Sequence, residues 1–192
     1  MSEAPLIGEP LALDLVNTRP ADDDLLSTPD QLAEWLRSQA DRLPERGPAH
    51  PTADDLDQVR RIRTHLTAVF EALLHDRRPP AAALRGLNNA QSAAPAIRHL
   101  EWTGNTLTAD ARRPGSAGAR LAAALAESAA ELLADPSITR LKQCEAQDCV
   151  LLFLPAHPRR RWCSAQRCGN RVRVARYYDR HKKASNPGTA TG

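Results

Sequence analysis

Cys144-Glu-Ala-Gln-Asp-Cys149 and Cys163-Ser-Ala-Gln-Arg-Cys168 contain every cysteine of this 192-residue chain. Each pair encloses four residues, and residues 150–162 separate the pairs. Two short cysteine pairs flanking a loop have the spacing of a four-thiolate zinc site. Four thiolates at about 2.3 Å complete a tetrahedron and leave no open position for water. The expected cofactor is therefore one structural Zn²⁺, not a catalytic metal. His157 is an alternative fourth ligand, and unligated or disulfide-linked cysteines are the alternative to metal. The first residues, M-S-E-A-P-L-I-G-E-P, hold no basic segment followed by an apolar run, so no signal peptide is expected and the compartment reads as cytoplasmic. A reducing compartment disfavours disulfides and favours metal thiolates. The apolar-rich run 121–134 is too short to span a membrane.

Outward from the cysteines, the sequence predicts a small module. Between the pairs, V-L-L-F-L-P-A-H-P-R-R-R-W suits a hairpin: an apolar strand, a Pro155/Pro158 turn, and a return strand ending at Trp162. Gly169 would let backbone approach a metal-bound sulfur, and Asn170 would cap the helix that follows. That helix, R-V-R-V-A-R-Y-Y-D-R-H-K-K, puts Val174, Tyr178 and His181 on one face and Arg173, Arg176, Arg180 and Lys183 on another. The tyrosines can stack on bases, though packing of at least one against the hairpin is the expected use. Some 40 residues with few large apolar side chains bury too little surface alone, so metal binding should also be folding.

The formal net charge of +3 hides an asymmetry. Residues 140–183 hold 12 Lys/Arg against 3 Asp/Glu, an excess of 9, and the remainder holds 14 against 20, or −6. An acidic body carrying a basic module points to polyanions, nucleic acid first and an anionic membrane surface second. The planar fork of Arg suits phosphate. The candidate DNA-binding residues are Arg159, Arg160, Arg161, Arg171, Arg173, Arg176 and Arg180, against the plainer reading of a solvated basic face.

The preceding chain reads as one α+β domain. Leu11, Leu13 and Leu15 alternate with Ala12 and Asp14, which predicts a short strand. Thr28-Pro29 with Gln31, and Thr52 with Asp54 and Asp55, are helix starts. After Thr52, Leu56, Val59, Ile62, Leu66, Val69, Phe70, Leu73 and Leu74 form a buried stripe, and Arg60, Arg61 and Arg63 read as a solvated face. A shorter helix over 80–92 follows. Gly104-Asn105 centres a hairpin over 97–111, expected to pair with the strand at Leu11 because an isolated hairpin is marginal in water. An Ala-rich helix over 116–134 closes the domain at Asp135-Pro136. Residues 184–192 read as a disordered tail.

W-C-S-A-Q-R-C-G-N-R, residues 162–171, resembles the signature of the CGNR zinc-finger family, and Cys144, Cys149, Phe153 and the Tyr/Arg-rich helix extend the likeness. G-E-P-L-A-L-D-L-V-N-T, residues 8–18, followed by T-P-D-Q-L-A-E-W-L, resembles the ABATE domain of stress-induced bacterial transcription regulators. The resemblance implies a treble-clef-like finger that binds DNA, and an N-terminal domain that senses a ligand. It implies Cys144, Cys149, Cys163 and Cys168 as the zinc ligands, with Arg171 as the signature arginine. The chain departs from the family at Leu154-Pro-Ala-His-Pro, where an acidic and a hydroxyl residue are usual after the Phe.

The expected architecture is thus α+β. Residues 1–136 form a mainly helical ABATE-like domain with a small antiparallel sheet, for ligand sensing or dimerisation. Residues 137–183 form a treble-clef-like CGNR finger. The expected function is a zinc-dependent DNA-binding transcriptional regulator, responsive to ligand or stress, with DNA, a small effector and a second copy of the chain as partners and no membrane. The alternative is a zinc-stabilised protein-interaction module whose basic helix docks on an acidic partner. An enzyme is the third class. Asp14, Asn17, Thr18 and Arg19, with His99, would line its pocket or a ligand site at the sheet edge, but no paired nucleophile and base stands at a diagnostic spacing.

Overall fold

The computed structural model describes residues 8–21, 23–45 and 47–184. The expected tail beyond Ala184 lies outside them. The helical body is built around one long helix, Ala53–Leu74. In chain order its helices are α1 (Leu11–Val16), α2 (Pro29–Ser38), α3 (Ala53–Leu74), α4 (Ala81–Ala93) and α5 (Ala117–Ala134). Thr52 starts α3 by accepting the Asp55 N–H at 3.2 Å, while the Asp55 carboxylate accepts the Thr52 N–H at 2.8 Å. The reciprocal bonds satisfy two donors that helix geometry leaves orphaned. Thr28 and Gln31 do the same for α2. The stripe from Leu56 to Phe70 is buried as its spacing predicts. α4 and α5 pack against α3. At Gly118 a Cβ would come within 2.9 Å of the Asp55 Cα, so glycine lets the α3 and α5 backbones close.

Residues Leu11–Val16 are a helix, not the expected strand. All six side chains are buried. A segment enclosed on every side has no polar face, so its alternating leucines carry no information about period. Pro10 stands at the N-cap, and its carbonyl accepts the Leu13 and Asp14 N–H groups. The Asp14 carboxylate folds back onto the N–H groups of Gly8 and Glu9 at 3.1 and 3.2 Å.

The hairpin forms as predicted, β1 (Ile97–Thr103) against β2 (Thr106–Arg112), turning at Gly104 with φ 64°. Among the described residues it pairs with no other strand, because α1 offers no strand edge. The polar reading of Arg63 is also corrected. Its side chain is buried, donating from Nη1 to Thr18 Oγ1 at 2.9 Å and from both Nη atoms to the Asp24 carboxylate at 2.6 Å. Burial pushes Asp24 up, but the Arg63 bonds and the Leu26 N–H outweigh it and hold the carboxyl below its ordinary 3.8.

After a 3-10 turn, Pro136–Arg140, the chain enters β3 (Lys142–Gln143), which pairs antiparallel with β4 (Leu152–Phe153). The expected hairpin is therefore displaced. The partner of the apolar strand lies before the first cysteine, and no strand returns through Arg159–Trp162. Successive strand residues face opposite sides. Leu152 joins the core of the helical body, and Phe153 joins the cluster around the cysteines. A π-helical turn, Ala165–Gly169, runs straight into α6 (Asn170–Ala184). Ser164, not Asn170, is the cap, accepting the Arg167 N–H at 3.3 Å. Asn170 already has helical angles.

Candidate metal centre and nucleic-acid interface

The first cysteine pair sits on a tight knuckle. The Cys144 N–H donates to Leu151 O at 2.9 Å, the Cys149 N–H donates to Ala146 O at 3.1 Å, and Asp148 takes a left-handed φ of 60° between them. Asp tolerates that region better than most residues. The second pair sits on the Ser164-capped turn. The four Sγ atoms all lie within 4.8 Å of one another. Cys149–Cys163 is 3.9 Å, Cys163–Cys168 is 3.5 Å and Cys168–Cys149 is 3.7 Å. A tetrahedron with zinc–sulfur bonds of about 2.3 Å has edges of about 3.8 Å. The sulfurs fit one structural zinc ion. His157 is exposed and is not part of the cluster.

Without a cation the sulfurs compete for protons. The hydrogen bond from Cys163 pulls the Cys149 thiol down to about 5, and the same contact pushes Cys163 well up. Burial pushes Cys168 up to about 11. A divalent cation removes that conflict by stabilising all four thiolates. Two donors already point at the sulfurs: the Cys163 N–H to Cys144 Sγ at 3.3 Å, and Arg171 Nη2 to Cys168 Sγ at 3.9 Å.

The arginines expected to bind DNA are placed very differently. Arg160 faces inward. It donates to Glu9 Oε1 and Cys163 O at 2.6 Å each, to Trp162 O at 3.1 Å and to Leu154 O at 3.3 Å, with its guanidinium 4.4 Å above the Phe153 ring. Arg161 is exposed but paired with Glu145, which holds that carboxyl below its ordinary range. Arg159 is exposed. Arg171 donates to Gln147 O at 2.8 Å, tying α6 to the first knuckle. Arg173 is exposed on α6; Arg176 and Arg180 follow on the same helix, their side chains outside the described set. Beyond Val172, which packs against the cysteine cluster, every described side chain of α6 is exposed, including Val174 at 45%, Tyr177 at 53% and Tyr178 at 67%. Neither tyrosine packs against a hairpin, as had been expected; they contact each other edge-on, and Tyr177 contacts His181.

The four residues weighed as a ligand pocket are mostly joinery. Asn17 Nδ2 donates to Leu152 O at 2.9 Å, and the Leu152 N–H returns to Asn17 Oδ1 at 2.8 Å. Both bonds are buried and join α1 to β4. Thr18 donates to Leu15 O and accepts from Arg63. Burial raises the Asp14 carboxyl, against the opposing pull of Arg42 and the Gly8 and Glu9 N–H groups. Arg19 is exposed, and His99 is exposed on the hairpin. Glu9 was missed. Its carboxylate takes the Leu154 N–H at 2.9 Å as well as Arg160. An acidic group does stand beside the end of β4, supplied from 145 residues away in sequence. No local pattern marks it. Arg63 did carry a signal: it lies four residues after Val59 and three before Leu66, on the buried stripe itself.

These joints frame a cleft of about 390 Å³ between the loop after α1 and the cysteine module. Asn17, Ala21, Asp23 and Leu25 line one side, and Asp148, Val150, Arg167 and Arg171 line the other; Cys149, Cys163 and Cys168 line it too, so the cleft opens onto the metal site.

Two family models match the chain. Residues 9–136 match ABATE, described as "Putative stress-induced transcription regulator". The chain belongs to the ABATE family. Residues 140–181 match the CGNR zinc finger, so an ABATE domain precedes a CGNR finger whose four cysteines are the cluster described above. No curated protein matches the chain as a relative. Neither matched family is an enzyme family. Among the described residues no helix is long and apolar enough to cross a membrane.

Proposed function

We propose that this ABATE–CGNR chain is a zinc-dependent, DNA-binding transcriptional regulator of the cytoplasm, with residues 1–136 tuning the finger and residues 137–183 contacting DNA. The observation that carries the reading is the exposure of α6. A basic helix rooted on a closed thiolate cluster leaves the body after one turn and offers Arg173 and the positions of Arg176 and Arg180 to a partner. Exposed arginines neutralise phosphates and release counterions, which gives affinity that falls steeply with salt. Arg159 extends the same charge, Arg161 shares its own with Glu145 until a phosphate competes for it, and Arg160 contributes by holding the finger in place. The cleft at the seam is the natural seat of a small polar effector. A molecule there touches Asn17 and Arg171 together, and so bears on the joint between the two units.

The test is selection of bound sequences from random DNA by the zinc-loaded protein at two salt concentrations. One motif enriched at both is the expected result. The exposed Val174, Tyr177 and Tyr178 favour the second reading, a basic helix docked on an acidic protein. Shallow, sequence-blind retention on DNA is the outcome that selects it.

A further inference from the structure

The β1–β2 hairpin has two unlike faces. Residues directly opposite in the register share a face. On one, Arg112 pairs with Glu101, Thr108 donates to Glu101 O, and Thr103 meets Thr108, so the polar groups satisfy each other. On the other, Leu100 stands opposite Ala109 and Trp102 opposite Leu107, with Arg98 and Ala111 at the base. Leu100, Trp102 and Leu107 keep 70%, 67% and 65% of their surfaces in solvent. No described element covers them. A lone two-stranded hairpin is marginal in water, and monomers rarely leave a contiguous apolar patch larger than a few hundred Å².

We propose that this face is the interface between two copies of the chain. Three features point to a second copy and not to another partner. The face is nearly uncharged, so it offers nothing to a polyanion or an acidic protein. It is also sterically self-complementary. Under a two-fold axis parallel to the strands, β1 of one copy lies over β2 of the other, about 10 Å away. Leu100 then fills the hollow over the partner's Ala109, and Trp102 meets the partner's Leu107. A two-fold across the strands would instead stack Leu100 on itself. Finally, the three large side chains expose roughly 400 Å² per copy, given the ~150–250 Å² of a large aromatic and somewhat less for each Leu. Two copies, with the alanines and the Arg98 stems of the same face, approach about 1,000 Å², the lower bound for a specific interface, which places the dimer among weak, reversible ones.

The experiment is sedimentation of the full-length, zinc-loaded protein up to roughly 100 μM, where a ~1 μM interface is saturated. Wild type is expected to shift from monomer to dimer across the series. Leu100→Lys should remain monomeric with unchanged circular dichroism and zinc content. Ala109→Leu sets Leu on Leu across the axis and should weaken association about tenfold, as overpacking does. Leu100→Ala with Ala109→Leu exchanges knob and hollow and should restore it. A wild type that stays monomeric, a Leu100→Lys dimer, or tighter association of Ala109→Leu overturns the proposal. The last result would mean the face is merely sticky.

Discussion

Arg160 and Arg173 lie thirteen residues apart in one basic segment, and the fold uses them in opposite ways. Arg160 is half-buried and tied down by Phe153, Glu9 and three carbonyl oxygens. Arg173 is exposed on α6, beyond the last residue of that helix that packs against the cysteine cluster among the described ones. The same charge is internal mortar in one place and open surface in the other. What separates them is the seam with α1: Glu9 and the carbonyls of the cysteine module hold Arg160, while its neighbours Arg159 and Arg161 stay exposed and side chains after the first turn of α6 are carried away.

Removing the metal should have the largest effect. Chelation takes away a structural site worth about 10–16 kcal/mol in small zinc domains, so residues 140–184 should unfold while α3 and α5 persist. Hydrogen exchange reads this directly, and retained protection at Val172 after zinc removal would contradict it. Next in size, Arg160→Ala leaves the partly buried Glu9 carboxylate without its cation and is expected to cost about 2–3 kcal/mol, visible as a lower unfolding midpoint. Asn17→Ala strands the N–H and carbonyl of Leu152, and about 2–3 kcal/mol should be lost by the same measurement. A finger that stays docked in both variants would show that the seam is not held by these groups.

Acid should act on the body through Asp24. Its folded pKa lies below the unfolded 3.8, so its contribution is fully present above that value and is lost as pH falls through the depressed one. Asp24→Asn is expected to flatten the acid side of a stability–pH profile; an unchanged slope would remove Arg63 from the account. The smallest effect on stability is at the other end of the comparison. Arg173→Ala should leave the unfolding midpoint within about 0.5 kcal/mol of wild type. On DNA it should lower affinity and reduce the salt slope by about one. An Arg160→Ala protein that keeps its fold and loses as much DNA affinity as Arg173→Ala would dissolve the distinction.

The metal centre was legible because its chemistry is local. Two C-x4-C pairs can be read without knowing where they sit, and the same holds for the caps at Thr28 and Thr52, the helix over 116–134 and the Gly104-Asn105 turn. The structure bears these out. α1 was misread because total burial erases the pattern that distinguishes strand from helix. The hairpin between the cysteine pairs was misplaced because strand pairing is a choice between distant partners. Lys142–Gln143 offered β4 an edge that residues 159–162 did not.

Sequence alone thus settled the cysteine ligand set, the helix starts at Thr28 and Thr52, the long buried stripe and the excess of positive charge after residue 139. Each depends on neighbours within a few turns of chain. Only the tertiary structure decided what Glu9, Asn17, Arg63 and Arg160 do. Their partners lie 39–151 residues away where the bonds cross from one element to another, as in Arg63 with Asp24, Asn17 with Leu152 and Arg160 with Glu9. A buried polar side chain takes whichever partner the packed core presents, and no local spacing encodes that partner.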